Sequence, residues 1–302
     1  MDPEIPKIWA SDSAPFGRSP SARDRLKRGT VGEHCLKHLM PLLIGLVWCT
    51  LACALELDAP LQLLNHREYT LLDGAPSSVA TLAQTSDGTL WLGGSTGLSR
   101  FDGVRFVGYP APSEDPLLSN DISALAATRD GGLWIGYVRG GATFLKDGRA
   151  VNYLQPEGFP LGTTLNFAWD SQGFIWAATA TALARLNGER WEAYNSAIFR
   201  ASVRGFLIDR EGTQWVANST SLLARPRGET QFREIVRRPF DLGYRTTLAE
   251  APNGEIWATA ERGLIRIEHP RELQGGNVVT PRGSVGRTMS QIAFDQIGRA
   301  HV

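Results

Sequence analysis

Few residues in this chain have the types and spacing that catalysis needs. Histidine is the usual general base of enzymes, and within residues 61–296 the only histidines are His66 and His269. Neither recurs in a pattern, and the sequence contains no His-x-Glu-x-His, paired-cysteine or Asp-rich calcium-loop motif. We expect both histidines to be solvated, and we predict no catalytic residue, no metal site and no cofactor in this chain.

Three aspartates, Asp170, Asp209 and Asp295, occupy one recurring position, three residues before a glycine. Aspartate side chains readily accept hydrogen bonds from backbone amides in turns. We predict that these carboxylates bind turn amides rather than act as acid–base groups.

Ligand binding is better supported than catalysis. The longest irregular connectors are residues 110–121, 154–163, 195–202 and 236–245, and loops on a rigid scaffold are where binding residues concentrate. Amide, guanidinium and aromatic groups suit a sugar or an anionic oligosaccharide. The candidate ligand-binding residues at or just after the connectors are Asn120, Asp121, Asn166, Arg204, Tyr244 and Arg245. Solvated loop residues are the alternative for each.

These connectors separate copies of an internal repeat. Five Gly-x-x-Trp segments recur, and successive tryptophans are 43, 42, 39 and 42 residues apart. The repeated glycines are Gly88, Gly131, Gly173, Gly212 and Gly254, and the tryptophans are Trp91, Trp134, Trp176, Trp215 and Trp257. A repeat of this length is typical of solenoids and propellers.

Each repeat alternates short apolar runs with turn residues, which predicts four short strands. A period of about 40–45 residues with four strands is typical of a β-propeller blade. The fold class is therefore all-β, with the tryptophans packed between blades as structural residues. Complete blades are predicted at about 76–109, 119–153, 162–194, 200–233 and 244–268.

Partial elements flank the five blades. We interpret residues 61–71 as an N-terminal strand that closes the ring, since closure removes unpaired sheet edges. A sixth blade begins at Met289, and residues 297–302 resemble a non-native tail. The propeller region is thus residues 61–296, an open fragment of a larger ring.

The N-terminal part has a different character. Residues 1–38 form a polar and basic leader, and residues 39–55 are uncharged and mostly apolar. A basic stretch, an apolar core and a small-x-small end predict a signal peptide, with a membrane anchor as the alternative. The three cysteines all lie within the first 55 residues, so we predict no disulfide framework in the exported part.

The formal net charge of +0 argues against nucleic acid as a partner.

The sequence of the first blade resembles the two-component regulator propeller repeat. The resemblance is carried by Gly-Thr-Leu-Trp-Leu-Gly-Gly from Gly88 and by Gly-Leu-Ser-Arg-Phe-Asp-Gly from Gly97. The resemblance extends over about residues 61–296 and weakens in the later copies. It implies a periplasmic sensor region of one or two seven-bladed rings, anchored in the inner membrane by a later segment. A histidine kinase, often hybrid, or a diguanylate cyclase would follow as the output module, and the full-length protein could be a homodimer.

Three functions remain open at this stage. The first is an exported sensor propeller that binds a glycan or another small extracellular ligand. The second is a stand-alone secreted propeller enzyme, such as a lyase or a glycan-active protein. The third is a propeller that serves as a protein-docking surface. Whether the full-length protein is an enzyme is open.

Overall fold

The computed structural model contains five four-stranded antiparallel sheets, as predicted for five complete propeller blades. In each sheet the strands are paired in chain order, so every blade is a meander. The described residues are 67–110, 115–194, 201–237, 246–260, 263–273, 277–279, 292–294 and 300–301. The all-β fold class is confirmed, and no strand pairing among the described residues closes a ring.

The strands of the first three blades follow the predicted repeat. Blade 1 contains β1 (Thr81–Gln84), β2 (Leu90–Gly94), β3 (Gly97–Phe101) and β4 (Phe106–Gly108). Blade 2 contains β5 (Ile122–Ala127), β6 (Leu133–Tyr137), β7 (Ala142–Lys146) and β8 (Arg149–Tyr153). Blade 3 contains β9 (Thr164–Trp169), β10 (Ile175–Thr179), β11 (Leu183–Asn187) and β12 (Arg190–Tyr194).

The last two blades are less regular. Blade 4 contains β13 (Val203–Ile208), β14 (Gln214–Asn218), β15 (Ser221–Arg225) and β16 (Arg233–Arg237). Blade 5 contains β17 (Leu248–Glu250), β18 (Ile256–Ala260), β19 (Gly263–Ile267) and β20 (Asn277–Val279). The fourth strand of blade 5 therefore lies beyond the predicted end of that blade at residue 268.

The repeated glycine has a backbone role in the turn between the first two strands of each blade. Gly88 has φ +84° and Gly254 has φ +89°, values that side-chain-bearing residues rarely adopt. The N–H of Gly88 donates to the carbonyl of Thr85 at 2.9 Å, which closes the turn. A three-residue loop that ends in a left-handed glycine is a common hairpin connection.

The tryptophans of the repeat lie between neighbouring blades. The Trp134 ring centroid is 4.9 Å from that of Phe144 in its own blade and 5.5 Å from that of Trp191 in blade 3. Trp215 is completely buried in the cluster that contains Ile256 of blade 5. A single four-stranded sheet cannot bury both faces, so this inter-blade packing forms the core.

The closing-strand prediction is wrong for residues 67–71. Residues 67–70 form no strand, and Leu71–Asp73 is a 3-10 turn. The Thr70 N–H and hydroxyl donate to the Asp73 carboxylate, and the Thr70 hydroxyl accepts from the Leu72 N–H, so this segment satisfies its polar groups locally. Tyr69 packs edge-on against the rings of Phe101 and Phe106 in blade 1.

A strand pair follows blade 5 in the register of a further blade. β21 (Ala293–Phe294) pairs with β22 (Ala300–His301), and Ala293 lies opposite His301. In blade 5, Ala249 lies opposite Trp257 in the same way. His301 therefore occupies the position that the repeated tryptophan holds in blade 5.

The predicted leader at 1–38 and apolar segment at 39–55 lie outside the described residues. They remain predictions, as does the non-native character of 297–302. Within the part of the chain that is described, no helix has the length and apolar character required to cross a membrane.

Candidate functional site

The first strands of successive blades lie side by side around a common centre. Specific hydrogen bonds join them across the blade boundaries. The Ser123 hydroxyl of β5 donates to the Thr164 carbonyl of β9 at 2.7 Å, and the Asn166 side-chain amide of β9 donates to the Phe206 carbonyl of β13 at 2.7 Å. These bonds fix the inner strands as the wall of a central cavity.

The central cavity has a volume of about 360 Å³ and is bordered by all five blades. Its size falls within the range of small-molecule sites. Its lining residues include Thr81, Ser123, Asn166, Arg204 and Thr246. Because every blade provides residues to the wall, the cavity forms only when the blades pack together.

A second cavity of about 330 Å³ lies beside the first, toward the starts of the inner strands. Ser123, Leu165 and Arg204 line both cavities, so the two are adjacent. Asp121 lines the second cavity. We call the two together the central site.

Two oxygen acceptors in the central site have no protein hydrogen-bond donor among the described residues. The side-chain Oδ1 of Asn166 is buried and has no hydrogen-bond partner among the described residues. The Asp121 carboxylate likewise has no hydrogen bond or ion pair with any residue that the structure describes, although its backbone N–H donates to Ser119 Oγ at 3.0 Å. A ligand with hydroxyl or amine donors can bind the Asp121 carboxylate, which is only partly buried.

The structure brings together three of the six predicted ligand-binding residues. Asp121, Asn166 and Arg204 all line the central site. Asn120 is exposed and lines neither cavity; its side chain instead lies near Gly97. Tyr244 and Arg245 lie outside the described residues.

The sequence prediction included Asp121 but not three equivalent polar residues that line the central site, Ser78, Thr163 and Ser202. The position ten residues before the turn glycine holds Ser78, Asp121, Thr163 and Ser202 in the first four blades, and all four line the second cavity. The recurrence of a polar residue just before the first apolar strand of a blade was the sequence feature that could have predicted these residues.

The aspartates of the repeat bind turn amides, as predicted, at the two described positions. Asp170 Oδ1 accepts from the backbone N–H groups of Gln172 and Phe174, both at 3.0 Å. Asp209 Oδ1 accepts from the Thr213 N–H at 2.8 Å. Asp295 lies outside the described residues.

The described histidine of the repeat region, His269, is exposed beside a 3-10 turn between β19 and β20 of blade 5. His66 is outside the described part of the chain. Within that part, no group of three or more His, Cys, Asp or Glu residues is placed to hold a metal ion.

Residues 116–139, which contain β5 and β6 of blade 2, match the model of the family described as "Two component regulator propeller". The resemblance drawn from the blade text is confirmed by this match. Blade 2 is thus similar to this propeller repeat. No protein with a curated description matches the chain in sequence.

Solved structures share the fold. The extracellular domain assigned to the hybrid two component system BT3049 from B. thetaiotaomicron superposes with a TM-score of 0.56 at 19% identity, covering 68% of this chain and 30% of that chain. The corresponding domain of BT4673 from the same organism gives 0.50 at 16%, covering 74% of this chain and 36% of that one. The chain spans about a third of the length of these domains.

A propeller enzyme shows a similar degree of likeness. Virginiamycin B lyase from Staphylococcus aureus superposes with a TM-score of 0.54 at 12% identity, covering 67% of this chain and 69% of that chain. At these identities the likenesses establish the β-propeller fold and do not choose between sensing and lyase activity.

Proposed function

We propose that this chain is the extracytoplasmic ligand-sensing propeller region of a membrane signal-transduction protein. The full-length protein would be a two-component sensor kinase or a diguanylate cyclase located at the inner membrane. The family match in blade 2 and the fold shared with extracellular domains of hybrid systems support this proposal.

The central site is the proposed sensing site. The observation that carries this proposal is the Asp121 carboxylate, which has no hydrogen bond or ion pair among the described residues, in one cavity system with Asn166 and Arg204. Carboxylate and amide oxygens accept hydrogen bonds from hydroxyl groups. A glycan fragment of one or two sugar units therefore matches the site in both size and chemistry.

Binding at this position would also couple a ligand to the whole ring. Inner strands from all five blades border the central cavity, so a bound ligand contacts every blade at once. A ligand that prefers one blade arrangement shifts the equilibrium toward it by its difference in affinity.

Calorimetric titration of the complete chain with neutral disaccharides (maltose, cellobiose and lactose) tests the binding site. Asp121→Ala should weaken binding of a recognised disaccharide by about tenfold, because hydrogen bonds to charged groups contribute more than neutral ones. Glu189→Ala is the matched control, since Glu189 is an exposed acid in the hairpin between β11 and β12. If no disaccharide binds, or if Asp121→Ala binds as tightly as the wild type, the proposed sensing site is wrong.

The signalling context has a separate test. Sequencing the gene beyond the codon for Gln296 should reveal further blades, a hydrophobic span and a kinase or cyclase module. A stop codon directly after the propeller at the genomic locus would contradict the signalling assignment and favour a secreted propeller enzyme or docking module.

A further inference from the structure

A third cavity lies away from the central site, in the crevice between blades 3 and 4. It has a volume of about 480 Å³. Blade 3 contributes Trp176 and Tyr194 to its wall, and blade 4 contributes Gln214 and Arg225. We call it the blade 3–4 cleft.

Arg225 is the distinctive residue of this cleft. Its guanidinium carbon lies 4.4 Å from the ring centroid of Tyr194, 5.2 Å from that of Phe232 and 5.5 Å from that of Trp176. Aromatic faces attract a guanidinium but leave its N–H edges available for hydrogen bonding. The Nε group donates to Gln214 Oε1 at 3.1 Å, and a second nitrogen donates to the same oxygen.

Arg225 donates to the neutral side-chain amide of Gln214, whereas a partly buried cation is usually paired with an acid. Among the described residues no carboxylate lies within 4.0 Å of its guanidinium. Five N–H donors belong to a guanidinium, and the amide of Gln214 accepts from two of the nitrogens. The Tyr194 side chain is a further, neutral hydrogen-bond partner. The positive charge of Arg225 is therefore not neutralised by an acid among the described residues.

Blade 5 provides an internal comparison. The Arg266 guanidinium carbon also lies over a tryptophan, 5.5 Å from the Trp257 ring centroid. Its Nε donates to Glu255 Oε2 at 3.0 Å, and another nitrogen lies 3.2 Å from Glu268. Arg266 is thus neutralised by two acids, whereas among the described residues no acid is paired with Arg225.

The acids that do line the cleft are committed elsewhere. Asp170 accepts from two turn amides with one oxygen and from the Trp176 indole with the other. Glu192 lies 3.7 Å from Arg185, and Glu229 accepts from Arg233 at 2.7 Å.

The two arginines also differ in the direction of their pKa shifts. Burial is the main cause that lowers the pKa of Arg225; the charge interaction and hydrogen bond with the Tyr194 side chain oppose this shift, and the positive charge of Arg185 adds to it. The hydrogen bonds with Glu255 raise the pKa of Arg266 instead. The surroundings of Arg225 therefore disfavour its charge in the way that an anionic partner would correct.

We propose that the blade 3–4 cleft is a binding site for the carboxylate of a small ligand, with Arg225 as its recognition residue. The planar fork of arginine matches a carboxylate in geometry. The aromatic wall formed by Trp176 and Tyr194 provides an apolar face for the rest of the ligand. An acidic sugar and the carboxyl terminus of a peptide both supply this chemistry.

Two-dimensional ¹H–¹⁵N spectra of the complete chain test the proposal. D-glucuronate and N-acetylglycine serve as probes for the two carboxylate sources, and D-glucose is the neutral match for glucuronate. At least one carboxylate should shift the indole N–H signal of Trp176 in a saturable manner, whereas glucose should not. The indole signal of Trp257, which lies in blade 5, should stay in place. Trp→Phe variants assign both signals.

Arg225→Gln should weaken carboxylate binding by at least about tenfold, as expected for loss of a charge-assisted hydrogen bond. Arg225→Lys retains the charge but not the fork, so an intermediate loss is expected, and it serves as the test if Arg225→Gln does not fold. Arg266→Gln is the matched control and should leave the affinity unchanged, as should Asp121→Ala in the central site. Equal binding of glucose and glucuronate, no saturable shift with either carboxylate, or unchanged affinity in both Arg225 variants would overturn the proposal.

Discussion

Asp209 and Trp215 are joined by a buried hydrogen bond in which the indole Nε1 donates to the carboxylate Oδ2 at 2.8 Å. The other oxygen of Asp209 accepts from the Thr213 N–H. The same arrangement recurs in blade 3, where the Trp176 indole donates to Asp170 at 2.9 Å. One aspartate thus ties the turn of the blade to the tryptophan that packs against the next blade.

Replacing this aspartate should destabilise the propeller even when the replacement is isosteric. Both carboxylate oxygens of Asp209 accept hydrogen bonds from N–H groups. In either orientation of an Asn side chain, its NH₂ group would face one of these N–H donors, and that hydrogen bond would be lost. We expect Asp209→Asn to lower the free energy of unfolding by about 2 kcal/mol, because a buried donor without an acceptor costs about 1–3 kcal/mol. Urea denaturation measures this change. Asp170→Asn, in a more exposed turn, should cost less, and equal costs would contradict the burial argument.

The turn glycines and the inner-strand glycines should respond differently to alanine. Gly88 has φ +84° and no atom within 4 Å of an added Cβ, so Gly88→Ala should cost about 1 kcal/mol of stability from the backbone alone. An added Cβ at Gly205 would lie 2.2 Å from the Thr246 carbonyl oxygen, between the inner strands of blades 4 and 5. Gly205→Ala should cost up to about 3 kcal/mol. Comparable thermal-melt shifts for the two variants would count against the close approach of these strands.

Asp130 should titrate well below an ordinary aspartate. Its hydrogen bond with Lys146, followed by that with Thr128, lowers its pKa from 3.8 to about 2. The ionised carboxylate therefore adds stability above about pH 4, and this contribution is lost as the pH falls through about 2. NMR titration should show the Asp130 pKa rising in Lys146→Met while remaining below its usual value, since Thr128 is retained. Because the pair is exposed, the same variant should change the free energy of unfolding only slightly. An unchanged Asp130 pKa would exclude the ion pair.

Stability should also decline at alkaline pH through Tyr137. This residue is buried in β6, and its phenol oxygen lies 2.7 Å from the Thr143 hydroxyl. Burial is the main cause that raises the pKa of Tyr137 above its usual 10.0. Tyr137 therefore ionises at a lower pH in the unfolded chain than in the folded one. The stability that this pKa difference contributes is complete below pH 10 and is lost as the pH rises through the folded-state pKa. Tyr137→Phe should reduce the dependence of the unfolding free energy on pH between about 9 and 11. A dependence equal to that of the wild type would show that Tyr137 is not responsible.

Features that depend on residues within one repeat were open to prediction from the sequence. The period of about forty residues defined the blades, and the glycine three residues before each tryptophan marked the hairpin turn that needs a positive φ. The Asp170 and Asp209 turn contacts followed from the same local pattern. These interactions join residues a few positions apart, so sequence spacing alone specifies them.

Features that depend on how blades meet were decided by the tertiary structure. The curvature of the ring brings Asp121, Asn166 and Arg204 of three different blades to one central site and leaves Asn120 outside it. It also places Arg225 of blade 4 against Trp176 of blade 3. Such pairs are about forty or more residues apart, and their approach depends on the summed rotation between successive sheets. Before blade 1, by contrast, a local turn replaces the expected closing strand, because Thr70 and Asp73 form hydrogen bonds with each other. The repeat pattern thus determines the blades, whereas the packing between them determines the sites.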